Sequence, residues 1–387
     1  MKTFDAVVRI FCAVAIVVIF TSLRSPARNS GNWFEMRLPY VGDVWDLKAT
    51  AFAEPGLGWA VGSVEETGCA LVLKYEGGRW KEEYKPCEGK LTVLHLVDVD
   101  LSAALEGWIV GDRYWIWSDP DRFKGIAVRI SGGKCRRAKV QNAGRSFKLE
   151  AVSIPPGSDT AFAVGGVAQK KRRKGLVMRY SGGMWRVVNV PLSLSSEWEL
   201  KDIDCPAPGK CWAVGRTIHR RWAEPGQRPK KRPKNINPLL VLSYNNGEWK
   251  REQVPPAPWG VIDPDLAAVS FPSVDEGWVA GKGVVFHYVG GKWFPDAPAS
   301  KSEGWNIKGL SFPDKRHGYA VGWNIDEKKP LWLERTQTGW TRLKTRYDDK
   351  LTALNDVFFL RPGTGWAVGG KQDRSDYPAG AFIYRSQ

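Results

Sequence analysis

The sequence predicts an all-β fold, a seven-bladed β-propeller. Three observations carry this. A pentapeptide of the form Gly-Trp-x-Val-Gly recurs seven times; a Gly turn and a Trp-bearing strand follow most copies; and the two ends of the chain supply complementary parts of one repeat. The 387 residues are 43% hydrophobic and 25% charged, which is globular composition and excludes a disordered or collagen-like chain. Twenty Trp residues fit one Trp-bearing unit copied many times.

The pentapeptide reads GWAVG at Gly58, GWIVG at Gly107, AFAVG at Ala161 and CWAVG at Cys211. It continues as GWVAG at Gly277, GYAVG at Gly318 and GWAVG at Gly365. The spacings are 49, 54, 50, 66, 41 and 47 residues, a period near 50 with the variation in insertions. An apolar strand precedes each copy, as in LKATAF at Leu47 and LKDIDC at Leu200. A second follows it, as in LVLKY to Tyr75 and VVFHY to Tyr288. A Gly turn and a Trp strand close the unit, as in GGRW to Trp80 and GGMW to Trp185. Four strands per repeat describe a propeller blade, with strands A to D running outward from a central channel.

Within the pentapeptide, Trp and Val share one face of strand B and Ala takes the other. A large side chain toward one neighbouring blade and a small one toward the other lets twisted sheets interlock. At about 25 cal/mol per Å² of apolar area, a buried Trp contributes several kcal/mol, so these aromatics read as core. The seventh repeat stops at AFIYRSQ, a strand C with no Trp strand after it. SGNWFEMRLP, Ser30 to Pro39, resembles GGMWRVVNVP at Gly182 and is expected to become strand D of the last blade. That closure removes open sheet edges.

Ahead of the propeller, Ile10 to Leu23 is an apolar run that reads as a signal peptide or retained membrane anchor. The expected division is 1–29 as leader and tether and 30–387 as propeller. Cys205 and Cys211 flank a PAPGK turn between strands A and B of blade four, a spacing that suits a disulfide. Cys69 and Cys87 are expected to face each other across the C–D hairpin of blade one. Cys135 takes the Trp position of blade two and is expected to be a buried free thiol. Two cysteine pairs behind an apolar leader argue for an oxidising, extracytoplasmic compartment.

The net charge is +16, and it is unevenly placed. The B–C loop of blade three, VAQKKRRKG, holds Lys170, Lys171, Arg172, Arg173 and Lys174. That of blade four holds Arg216, Arg220, Arg221, Arg228, Lys230, Lys231, Arg232 and Lys234, against Glu224 alone. Two neighbouring loops thus carry twelve of the sixteen net charges. Blade two adds a long loop with Tyr114, Trp115 and Trp117 on the same rim, the top face. Clustered basic side chains repel one another, so an acidic partner is the simplest reason to keep them together. A polyanionic surface, an acidic protein segment and anionic lipid headgroups all qualify. The leader and cysteine pairs argue against nucleic acid.

The GWxVG strand followed by a Gly-Gly-x-Trp hairpin resembles the photosystem II stability and assembly factor family. The resemblance spans Asn32 to Gln387. It implies a secreted or lumenal seven-bladed propeller that helps assemble or stabilise a membrane protein complex. More distantly the repeat is similar to sialidase-type Asp-box propellers, although YEGGRW, YSGGMW and YVGGKW have Gly where the Asp would stand. A sialidase-like enzyme or lectin is therefore the competing class. His95, His219, His287 and His317 fall in different repeats without metal spacing, and no cofactor or catalytic set is singled out. Asp98, Asp100, Asp202 and Asp204 alternate with apolar residues near strand A and are expected to line the channel in contact with water, or to bind a cation there.

Overall fold

The computed structural model describes residues 33–386 apart from 43–44, 65, 90, 103–105, 117–121, 170–171, 193–195, 219–237, 259–260, 262, 298–303, 344–352 and 373–377. The apolar leader and Cys12 lie outside the described residues. Seven antiparallel sheets form, one per repeat. Their innermost strands are Trp45–Glu54, Thr92–Leu101, Ser146–Ser153, Glu197–Ala207, Leu266–Ser273, Trp305–Ser311 and Ala353–Arg361. Each packs on the next and the last packs on the first, so the ring closes. Trp33–Glu35 is the outermost strand of blade seven, pairing Trp33 with Ser386 and Glu35 with Tyr384. Blade three gains a fifth strand, Lys139–Val140, which runs parallel to Met184–Val188.

The predicted split of the pentapeptide holds. Trp59 and Val61 pack with Leu94, Leu96 and Ile109 of blade two, while Ala60 faces Trp366 and Val368 of blade seven. The two glycines of the motif have separate reasons. A Cβ on Gly58 would lie 2.4 Å from the Phe52 ring, and one on Gly277 2.3 Å from the Phe271 ring. A Cβ on the second glycine would meet a backbone oxygen: 1.9 Å from Asp46 O at Gly62, 2.0 Å from Glu199 O at Gly215. That oxygen comes close because strand A carries a β-bulge at the same place in all seven blades, for example between Leu47 and Ala49 and between Leu200 and Asp202.

Neighbouring blades are joined along the inner strands by side chains that bond the next backbone. Asp98 and Asp100 Oδ2 accept from Val152 and Ile154 N, at 2.7 and 2.6 Å. Asp202 and Asp204 accept from Val269 and Phe271 N, and Asp356 from Thr50 N. Ser153, Ser270 and Ser311 make the same bond to Cys205, Phe312 and Phe359. The aspartates line the channel as expected and, beyond that expectation, staple blades. All five are half-buried at the channel wall. Burial raises the carboxyls of Asp100 and Asp356 to about 6, Asp204 to about 7 and Asp202 to about 8, against the backbone donors that favour ionisation.

Both predicted disulfides are present. Cys205 and Cys211 join the end of strand A to strand B of blade four, with Cα atoms 4.0 Å apart. Cys69 at the start of strand C joins Cys87, with Cα atoms 4.5 Å apart. Cys87 sits just past strand D, which ends at Tyr84, rather than within it. Cys135 is free and half-buried, and burial pushes its thiol up to about 12.

Candidate interaction cleft on the top face

Strand A starts, strand B ends and strand C starts all meet at the top face. There a cleft of about 750 Å³ opens between blades three and four, with Phe123 of blade two at its edge. Its walls bring together Arg145, Lys148, Arg172, Arg173, Lys201 and Arg216, six cations against the carboxylates of Glu150, Glu197 and Glu199.

Glu199 organises the floor. It stands in strand A of blade four immediately before Leu200 and is 5% exposed. Its partner across the strand pair is Arg216, in the strand Lys210–Ile218. Arg216 Nε donates to Glu199 Oε1 at 3.0 Å, and its Nη1 donates to Asp263 at 3.3 Å. Arg173 Nη1 reaches Glu199 Oε2 at 3.0 Å from blade three. Lys201 Nζ lies 3.4 Å from Glu199 and 3.6 Å from Glu150. Burial pushes the Glu199 carboxyl up, but Lys201, Arg216 and Arg173 outweigh it and hold it below the usual carboxylate range. Burial also works against the Arg216 charge, which Glu199, Asp263 and Asp265 nonetheless stabilise. One buried carboxylate thus holds three cations from two blades in fixed positions. The surplus of positive charge is left to an incoming group.

Arg172, Arg173 and Lys174 are not loop residues as expected. The hairpin of blade three extends upward, so they begin strand C, Arg172–Ser181, paired with Gln169, Ala168 and Val167. All three are exposed. Among the sequence-predicted residues, the cleft therefore unites Arg172, Arg173 and Arg216. Lys170, Lys171, Arg220, Arg221, Arg228, Lys230, Lys231, Arg232, Lys234, Trp117 and His219 lie outside the described residues.

Tyr114 and Trp115 end strand B of blade two, Gly107–Trp115. Tyr114 pairs with Phe123, ring centroids 5.4 Å apart, and Lys148 Nζ sits 3.6 Å from the Phe123 centroid. Blade two is thereby connected to the cleft. Sequence reasoning missed Arg145, Lys148, Lys201 and the three glutamates. The residues flanking the strand-A Leu in KLE and ELK carried the signal, because the bulge turns both neighbours toward the channel mouth.

The architecture has solved counterparts. YCF48 from Cyanidioschyzon merolae superposes with a TM-score of 0.54 at 16% identity, covering 92% of this chain and 98% of that one. The two chains share a fold. The extracellular domain of the hybrid two component system BT4673 from B. thetaiotaomicron gives a TM-score of 0.55 at 10% identity, over 92% of this chain and 40% of that one. A structure of YCF48 bound to D1 peptide aligns with a TM-score of 0.39 at 12% identity. No protein-family model and no curated protein matches the sequence.

Proposed function

We propose that this propeller is an extracytoplasmic interaction scaffold, an assembly factor or accessory subunit of a membrane protein complex, and that its cationic cleft receives an acidic protein segment. The observation that carries the reading is the Glu199 hub. It fixes Arg173, Arg216 and Lys201 in one place while Arg172 and Lys174 stand exposed beside them. Preset cations discriminate for carboxylates and steer their approach. The fold shared with YCF48 and the resemblance of this chain's repeats to the photosystem II stability and assembly factor family are consistent with this class. The two disulfides fit an oxidising compartment.

A protein segment is favoured over the headgroups of the anchoring bilayer by topology. The described chain enters at Trp33, at the bottom end of an outer strand of blade seven. In a seven-membered ring the gap between blades three and four is diametrically opposite, and it opens on the other face. If Ile10 to Leu23 is retained as an anchor, the eight residues from Arg24 to Gly31 reach at most roughly 27 Å. The tether would then join the ring at the edge opposite the cleft and on the other face.

The test is a mild-detergent pull-down from native membranes, comparing wild type with a variant carrying Arg172→Ser, Arg173→Ser and Lys174→Ser. A defined membrane complex retained by wild type and lost by the variant is the expected result, with retention falling as salt rises. Equal retention by both removes the cleft from the reading.

A further inference from the structure

On the side of the channel mouth opposite the cleft, a second set of cations is arranged differently. The β-bulge of each inner strand leaves one extra residue after the conserved apolar one, and in blades one, four and six that residue is a lysine: Lys48, Lys201 and Lys308. In two of these blades the residue two positions earlier is an acid that pairs with it. Asp46 Oδ2 accepts from Lys48 Nζ at 2.5 Å, and Glu199 Oε1 lies 3.4 Å from Lys201 Nζ. Blade six breaks the pattern. The acid is replaced by Asn306, so Asp-Leu-Lys and Glu-Leu-Lys become Asn-Ile-Lys. Among the described residues no carboxylate bonds Lys308, which is exposed at the mouth.

The ring itself brings Lys308 near Lys48. Gly309 packs so closely on blade seven that a Cβ there would lie 2.8 Å from Asp356 Cα. Asn355, beside Asp356, donates through Nδ2 to Asp46 Oδ1 at 2.9 Å and to Leu47 O at 2.7 Å. Blades six, seven and one are thus in contact at this level. Partial desolvation, and then the charge of Lys48, hold the Lys308 amine below the usual lysine range, with Asp46 opposing. Asp46 is already engaged by Lys48 and Asn355, so two ammonium groups share one carboxylate.

We infer that Lys48 and Lys308 form an anion site that takes one carboxylate group, an oxygen on each ammonium, at the edge of the channel opposite the cleft. The inference is independent of the cleft. The repeat pattern selects the ligand: a carboxylate supplies to blade six what Asp46 and Glu199 supply to blades one and four. Crowded by the channel wall and by a like charge, Lys308 gains more from an anion than a fully solvated lysine does. An acidic side chain of a bound protein and a free organic acid both present this group.

The test is trace acetylation of the full chain in mild detergent at pH 8, read residue by residue by mass spectrometry. Exposed Lys134, on the outer strand of blade two, is the internal reference. The additives are sodium succinate, an end-blocked Gly-Glu-Gly peptide, inorganic phosphate, and sodium chloride at matched ionic strength. A bound carboxylate returns the amine toward its usual range, so Lys308 should acetylate about fivefold more slowly relative to Lys134. Protection by the blocked peptide assigns the group to an acidic side chain, and protection by succinate alone assigns it to a free acid. Asn306→Asp restores the missing acid at a half-buried position with almost no change of volume, and circular dichroism should be unchanged. In that variant Lys308 should react slowly without any additive, and the carboxylates should add no further protection. The inference is overturned if neither carboxylate protects, if chloride or phosphate protects as well as they do, or if Asn306→Asp leaves their protection at the wild-type level.

Discussion

The two halves of the ring are held together differently. From blade four round to blade one, the aromatic residue of each pentapeptide lies flat on the Phe that ends strand A of the next blade. Trp212 stacks on Phe271 at 4.0 Å, Trp278 on Phe312 at 3.8 Å, Tyr319 on Phe359 at 3.4 Å and Trp366 on Phe52 at 3.5 Å. From blade one to blade four the Phe is absent. Leu101, Ile154 and Cys205 occupy its place, and the first pentapeptide residue changes with it, from Gly107 under Leu101 to Ala161 in blade three and Cys211 bonded to Cys205. Volume is conserved across each contact, so neither partner can be exchanged alone. The half without stacks is also the half that carries the cleft. Packing is most uniform away from the cleft, and it varies beside it.

The largest effect that tests this division is Trp278→Ala. Trp278 is fully buried, lies between His287 and Phe312, and donates through Nε1 to Asp296 at 3.1 Å. Loss of the ring leaves a cavity at a cost of about 3–5 kcal/mol, while Asp296 keeps its bonds from Arg335 and Trp340. Ile154→Val, in the corresponding contact of the other half, is expected to cost about 1 kcal/mol. Denaturant midpoints for the two variants measure the difference directly. Similar losses would mean that the stacks contribute less than the area they bury.

Next comes the bridge that replaces a stack. Cys205 and Cys211 are separated by 6 residues, a short loop, so the bond contributes roughly 2 kcal/mol through the unfolded chain. Cys205→Ala with Cys211→Ala loses that and some apolar contact with Phe162, which belongs to the same core. The double variant should unfold at lower denaturant than wild type and bind acidic peptide less well, since strand A of blade four carries Glu199 and Lys201. Substitution of Cys69 and Cys87 in blade one, away from the cleft, should lower stability without changing binding. If both pairs affect binding equally, the position of the bridge is irrelevant.

Much of this was legible in the sequence, and the limits have a physical cause. The seven pentapeptides, the closure by Trp33 and both cysteine pairs could be read because each is a local signature or a difference between repeats. Strand A was harder, since its bulge breaks the period of two. The apolar residues there are three apart, as in Leu149 and Val152, Leu200 and Ile203, and Leu354 and Val357, and each pair spans the bulge. That spacing was present in the sequence, and it would have placed Lys201 and Glu150 at the channel mouth. The blade-to-blade bonds of Asp98 and Asp202 were not legible, because they join segments 54 and 67 residues apart. The basic run of blade three could be read as charge but not as strand, since Arg and Lys have little β preference of their own and the pairing is set by the hairpin below.

The smallest effect separates the interfaces by the group that staples them. Asp carboxyls join blades two to three, four to five and seven to one, whereas Ser hydroxyls join three to four, five to six and six to seven. Only the first set titrates. Burial raises Asp202 to about 8, Asp204 to about 7 and both Asp100 and Asp356 to about 6, and lifts Asp98 well above its usual range. In the unfolded chain an Asp titrates near 3.9. The folded state therefore binds more protons between the unfolded and folded values, so the stabilisation is complete below about pH 4 and is lost progressively as pH rises from there through 8. Glu199, held low by its cations, has the opposite sign, but its loss lies below the usual Glu range and outside this window. Channel water reaches the half-buried aspartates and limits the effect, so Tm should fall by only about a few degrees between pH 5 and pH 8. Asp202→Asn keeps one acceptor oxygen for the Val269 and Ile203 amides and cannot ionise. Its Tm should start lower at pH 5, because one of the two bonds is lost, and then decline less steeply than wild type. A parallel decline in the two proteins would assign the pH dependence to groups outside the staples.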